Sequence, residues 1–153
     1  MQSRQKHPGF TLLELILVMV ILATVMALAA PKLSNWRKGG ALRSSADDFV
    51  AATKFARTQA ISSGQVCVVA IDKQGGTFNV QQQNGANYVN VDGEFGQPMR
   101  VLDGGSIDGP DTISFYPTGR VQPATVKIIG DNGESVTIAC GAPSEDFGIV
   151  GQQ

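Results

Sequence analysis

Hydrophobic and polar positions divide the chain into three regimes. From Phe10 to Ala30 almost every residue is apolar, with Glu14 the one acid and no base. From Leu33 to Ile61 the apolar residues thin out and return at helical spacing. Leu33, Trp36, Leu42, Phe49, Val50, Ala56, Ala60 and Ile61 form one stripe, while Arg37, Lys38, Arg43, Asp47, Asp48, Lys54 and Arg57 fall largely on other faces. Beyond Gly64 the pattern shortens to β-branched runs between turn residues. The expectation is a helix from about Phe10 to about Ser63, capped by Gly64, followed by an antiparallel β region: an α+β chain.

The helix has two weak places. Pro31 lacks an amide proton and should kink it. Gly39-Gly40 costs about 1 kcal/mol per glycine relative to alanine. Either this pair is a compliant joint, or a loop at Arg37–Ala41 splits two helices.

In the β region, "QVCVVAID" leads through Lys73-Gln74-Gly75-Gly76 into "TFNVQQQ", and Asn84-Gly85 marks another turn. "NYVNV", "PMRVL" and "TISFY" read as short strands between Gly- and Asp-rich loops. Pro117-Thr118-Gly119 turns into "RVQPATVKII", and Asp131-Asn132-Gly133 is a hairpin signal into "ESVTIAC". "FGIV" in the tail suits a last edge strand. Pro98 and Pro123 belong at strand ends, edges or bulges.

Charge separates the chain again. Up to Arg57 there are eight Lys/Arg against three acids, a net of +5; from Thr58 onward there are four against ten, a net of −6. The acidic part disfavours nucleic acid as a partner, because phosphate binding needs clustered cations. Cys67 and Cys140 are far apart, with no CxxC and one His in the chain, so a zinc site does not fit. Outside the cytoplasm they could form a disulfide. Such a bond would close a 74-residue loop and contribute on the order of 4 kcal/mol in the loop-entropy model. Two buried free thiols are the alternative.

Phe10 to Ala30 is long enough to cross a bilayer core of about 30 Å at about 1.5 Å per residue. A small domain cannot surround a helix that is apolar on every side. A plain signal anchor is one explanation. A secretory signal peptide cut after Ala27-Leu28-Ala29, releasing a soluble periplasmic binding domain, is another. Neither accounts for Glu14, since acids within membrane segments are costly and usually paired. Cutting between Gly9 and Phe10 would supply a partner, the new Phe10 α-amine. In staggered parallel helices the amine of one copy can meet the Glu14 carboxylate of the next, and a desolvated pair would favour one stagger.

A basic leader ending in Gly9, then Phe10-Thr11-Leu12-Leu13-Glu14, then an apolar helix with Pro31 at its end, resembles the prepilin signal of type IV pilins and type II secretion pseudopilins. "ADDFVAATKFARTQAISSGQVCVVAI" and "ISFYPTGRV", centred on Gly119, resemble the H-type minor pseudopilins and their minor type IV pilin relatives. The resemblance implies a pilin-like fold, with the N-terminal helix packed on an antiparallel β-sheet head. It implies a cleaved leader at 1–9, a transmembrane and filament-core helix at 10–30, an amphipathic continuation at 31–63 and a β head at 64–153. It further implies cleavage at Gly9/Phe10 by a prepilin peptidase and N-methylation of Phe10. Assembly with other pseudopilins on an inner-membrane platform follows, with lipid around the helix. The protein would then be single-pass in the bacterial inner membrane, head in the periplasm, and a periplasmic pseudopilus subunit after assembly. Its role would be minor pseudopilin of type II secretion, or alternatively minor pilin in pilus priming. Charge counting does not set this orientation: Arg4 and Lys6 precede the run, and Lys32, Arg37, Lys38 and Arg43 follow it. The cytoplasmic leader rests on the resemblance.

Catalytic constellations are absent from the sequence. His7 lies in the leader, and Ser114, Ser135 and Ser144 have no evident base. "GGSIDGPD" is followed by no Gly-Lys-Ser/Thr. The expectation is no enzyme and no cofactor. Asp103, Asp108 and Asp111 in that Gly-rich stretch are weak calcium candidates without EF-hand spacing. Trp36 suits a membrane-surface contact or plain packing.

Overall fold

The computed structural model describes residues 12–131 and 133–152, without the side chains of 27–39. Among the described residues the chain forms one α-helix, α1 (Leu12–Ser63), and nine strands: β1 (Cys67–Asp72), β2 (Thr77–Asn84), β3 (Asn87–Asn90), β4 (Met99–Arg100), β5 (Ser106–Asp108), β6 (Thr112–Phe115), β7 (Ala124–Ile129), β8 (Ser135–Cys140) and β9 (Gly148–Gln152). The chain divides into two compact units, Met1–Arg37 and Lys38–Gln153.

In the first unit the described side chains of α1, Leu12 to Met26, are all exposed, and large hydrophobics fall on every face of the helix. The Thr24 hydroxyl donates back to Ile21 O at 2.8 Å and Val20 O at 3.1 Å, so its polarity is satisfied within the helix. Among the described residues no helix is long and apolar enough to cross a membrane. The described side chains of the run are fewer than the roughly 20 residues a span requires.

In the second unit α1 buries Leu42, Ala46, Phe49, Thr53, Ala56 and Ala60. Their alternating steps of four and three are the one-face pattern of a 3.6-residue period. Four of the buried helix residues are alanines, Ala46, Ala52, Ala56 and Ala60, and small side chains let a helix lie close to a sheet. Helical backbone continues through Gly39-Gly40, so no loop splits α1 there. The helix stops at Ser63 because Gly64 turns left-handed at φ 68° while its N–H still bonds Ala60 O at 3.1 Å.

Two antiparallel sheets complete this unit. One has the order β3-β2-β1-β6, with β4 also on β2; the other runs β5-β7-β8-β9. β3 and β4 occupy successive stretches of the same edge of β2, Gln81–Asn84 and Thr77–Phe78. The excursion between them contains a 3-10 turn, Glu94–Gly96. Phe49 meets Phe78 edge-on at 5.0 Å, and Phe55 stacks on Phe95 at 5.0 Å. Val69, Ile113 and Phe115 from the first sheet share one core with Val126, Ile128, Val136 and Ile138 from the second.

Three expectations change. Ile61 is 53% exposed rather than part of the buried stripe. "PMRVL" pairs only through Met99–Arg100. The Gly- and Asp-rich stretch read as loop holds β5, whose Ile107 is buried against the core.

Candidate functional site: the assembly helix and the signature turn

Gly9 and Phe10, the expected cleavage and methylation positions, lie outside the described residues. Glu14 sits exposed on α1. Pro31 keeps helical backbone within α1; its side chain, and those of Leu33 and Trp36, lie outside the described residues.

The disulfide open to the sequence is not formed. Cys67 and Cys140 are free, buried thiols. Cys67 sits in β1 between β2 and β6, and Cys140 ends β8 in the other sheet. The Cys140 thiol instead donates to Ala142 O at 3.1 Å and approaches Glu145 O at 3.4 Å. Burial pushes the Cys67 thiol pKa up. Burial also raises that of Cys140, opposed by the backbone hydrogen bond at Ala142 and by Arg57 and helped by the Glu145 and Asp146 carboxylates.

The calcium candidates do not converge. Asp111 Oδ1 pairs with Lys73 Nζ at 2.8 Å, and Asp108 lies opposite Lys127 in the β5–β7 register. Asp103 lies before β5, and among the described residues no three His, Cys, Asp or Glu are grouped to hold a metal.

The structure does gather residues around "ISFYPTGRV". Gly119 takes φ 78° and its N–H bonds Tyr116 O at 2.9 Å; Tyr116 N–H bonds Arg120 O at 2.9 Å. Phe115 and Val121 then form a single bridge. This turn carries the chain from the first sheet into the second. It is fastened to the tail loop, since Val121 N–H donates to Pro143 O at 2.8 Å and Phe147 lies 6.2 Å from Phe115. Arg57 of α1 holds the same loop: Nη1 meets Asp146 Oδ1 at 2.6 Å and Glu145 O at 3.2 Å, and Nη2 donates to Ser144 O at 3.2 Å. Tyr116, Pro117, Arg120, Val121, Pro123 and Pro143 border an open cleft of about 600 Å³.

The sequence reading missed Arg57. It counted as one of several solvent-facing charges on α1, and its partners lie 87 to 89 residues away. No local spacing joins them. The amide relay from Gln59 Nε2 to Gln82 Oε1 at 2.9 Å, and from Gln82 Nε2 to Gln65 Oε1 at 2.6 Å, was equally invisible.

Residues 45–142 match the family described as Type II transport protein GspH, and residues 4–30 match the prokaryotic N-terminal methylation motif. The fold resembles two structures of the minor pseudopilin EpsH from the type II secretion system of Vibrio cholerae. One aligns with TM-score 0.63 at 16% identity over 76% of this chain and 96% of that one. The other gives 0.61 at 18% identity over 71% and 94%. The type IV minor pilin FimU of Pseudomonas aeruginosa aligns with TM-score 0.52 at 16% identity over 76% and 92%. No curated protein sequence matches the chain. With the family model covering most of the helix-to-tail region just described, the chain belongs to the GspH family of type II transport proteins.

Proposed function

We propose that this GspH-family minor pseudopilin works mechanically, as a subunit drawn from the inner membrane into a periplasmic filament that drives protein export. One observation carries the reading. The described side chains from Leu12 to Met26 expose large hydrophobics on every face, within the segment that matches the methylation motif. Such a surface needs lipid or other apolar helices around it. Lipid suits the waiting subunit, spanning the membrane once with its leader inside; neighbouring helices suit the assembled one. Cleavage after Gly9 and methylation at Phe10 place an amine near Glu14 of the next copy, and that ion pair selects the stagger. The peptidase and the membrane platform act before and during this step.

N-terminal sequencing and the mass of membrane-associated protein provide the test, with Glu14→Ala beside the parent chain. The expected mature start is methyl-Phe10 in both, with the variant processed but poorly incorporated into filaments. A start at Ala30 would mean a released soluble domain. Normal incorporation of Glu14→Ala would remove the pairing role. The likeness to FimU supports a second reading, a minor pilin that primes a retractile pilus. Crosslinking to a secretion platform rather than a retraction system separates the two.

A further inference from the structure

The cleft at the signature turn has apolar walls and one exposed cation. Pro117, Val121, Pro123, Pro143 and the Tyr116 ring supply the walls. Proline side chains lose little entropy when covered, so a contact there costs little ordering. Tyr116 is 43% exposed. Ile61 borders the same turn: a β-carbon on Gly119 would stand 3.5 Å from Ile61 Cδ1. Among the described residues of the second unit five large hydrophobics are exposed, Ile61, Tyr88, Val89, Tyr116 and Val150, and Tyr116 lies in this turn while Ile61 borders it at Gly119.

Arg120 lies on the cleft, exposed. Among the described residues its side chain has no ion pair or hydrogen bond, whereas Arg57 and Lys73 are matched to Asp146 and Asp111. A guanidinium beside an apolar wall suits a carboxylate held next to an apolar group, because partial desolvation strengthens the charged hydrogen bonds. A polyanion such as nucleic acid fits poorly, since the cleft lining offers a single cation and phosphate backbones need several clustered ones. A basic segment would meet Arg120 with like charge.

We infer that this cleft docks an acidic, apolar peptide segment of a neighbouring protein subunit. An aromatic or branched aliphatic side chain enters between the prolines and Tyr116, and an adjacent carboxylate pairs with Arg120. That the neighbour is a filament subunit rests on the proposed function; the peptide chemistry does not.

The test uses the full chain in detergent micelles and three fluorescent capped peptides, Ala-Leu-Phe-Asp-Ala, its Asn form and its Lys form, read by anisotropy against empty micelles. The Asp peptide should bind about tenfold tighter than the Lys peptide, with Asn between. Arg120→Glu should reverse that order, Arg120→Lys should keep it in weaker form, and Tyr116→Ala should weaken all three peptides. Arg100→Glu, at an exposed cation on β4 away from the cleft, should leave the order intact. Equal binding of the three peptides overturns the inference. So does a preference that survives Arg120→Glu or is lost equally in Arg100→Glu. Processing at Phe10 is scored on the same preparations, so failure here is distinguishable from failure of the filament reading.

Discussion

Arg57 Nη1 lies 2.6 Å from Asp146 Oδ1, joining α1 to the loop before β9. Asp146 is 60% exposed, so the ion pair alone contributes little, about 0.2–1 kcal/mol in water. The guanidinium also serves the Ser144 and Glu145 carbonyls, and hydrogen bonds from a charged donor contribute about 1.5–3 kcal/mol each when well sheltered. The two effects rank the variants. Arg57→Ala should lower stability by about 1–2 kcal/mol and Asp146→Asn by about 0.5 kcal/mol. Arg57→Lys should recover only part, because an ammonium cannot fork across three acceptors. Urea midpoints measure the order, and Asp146→Asn costing as much as Arg57→Ala would show that the pair, not the carbonyls, dominates.

Two glycines call for different tests. Gly119 is left-handed at φ 78°, but a β-carbon there meets only the Ile61 side chain, Cδ1 at 3.5 Å and Cγ1 at 4.0 Å, ordinary contacts. Gly119→Ala should therefore cost about 1–2 kcal/mol of backbone strain and leave the fold intact. At Gly96 a β-carbon would fall 1.8 Å from Val91 O, which is backbone and cannot swing aside. Gly96→Ala should displace the 3-10 turn and the Phe55–Phe95 stack. Thermal melts and near-ultraviolet circular dichroism distinguish the two, and a Gly96→Ala melt within a few degrees of the parent would contradict the close approach.

The ordering of the elements was legible because it is local. Asp72 shows why: its carboxylate accepts the Gln74 and Gly75 N–H groups at 3.0 Å each, which closes the first hairpin from neighbouring residues alone. Gly64, Gly85 and Gly133 end or turn their segments at positive φ for equally local reasons. What the pattern hid is where distant segments meet. Ser106–Asp108 lacks a hydrophobic run, yet it pairs with β7 because Ile107 fills the core. Ile61 kept the helical spacing yet escaped burial, since the helix ends two residues later beside the Gly119 turn. Arg57 read as a solvated charge until the tail loop came to it.

Ser45 tests one such distant contact. Its buried hydroxyl donates to Val101 O just after β4 and lies 3.0 Å from Ala41 O within the helix. Ser45→Ala removes the donor and leaves the Val101 carbonyl short of a partner in a buried place, a cost of about 1–2 kcal/mol. Ser45→Thr keeps the hydroxyl, but crowding from its extra methyl should cost about 1 kcal/mol or more. Hydrogen exchange should show faster opening at Val101 N–H, which bonds Gly76 O at 3.0 Å. Unchanged exchange there in Ser45→Ala would mean that the helix and β4 are held together elsewhere.

The two thiols give the last prediction and a sign to check. Both are raised in the folded chain, chiefly by burial, so the folded state holds its thiol protons to higher pH than the unfolded state does. Stability is then independent of these groups below the unfolded value of about 8.5. Above it the unfolded chain binds fewer protons and stability falls as pH rises, until the folded thiols ionise as well. Other groups titrate in the same range, so the informative quantity is the difference between parent and variant. Cys67→Ala and Cys140→Ala should each flatten the alkaline fall, because burial is the leading cause of the rise at both thiols. Under native conditions neither thiol should react with a maleimide at neutral pH, and both should react once urea unfolds the chain without reductant. A protein that stays unreactive after unfolding, and gains two thiols only with reductant, would restore the Cys67–Cys140 bond in place of two separately buried thiols.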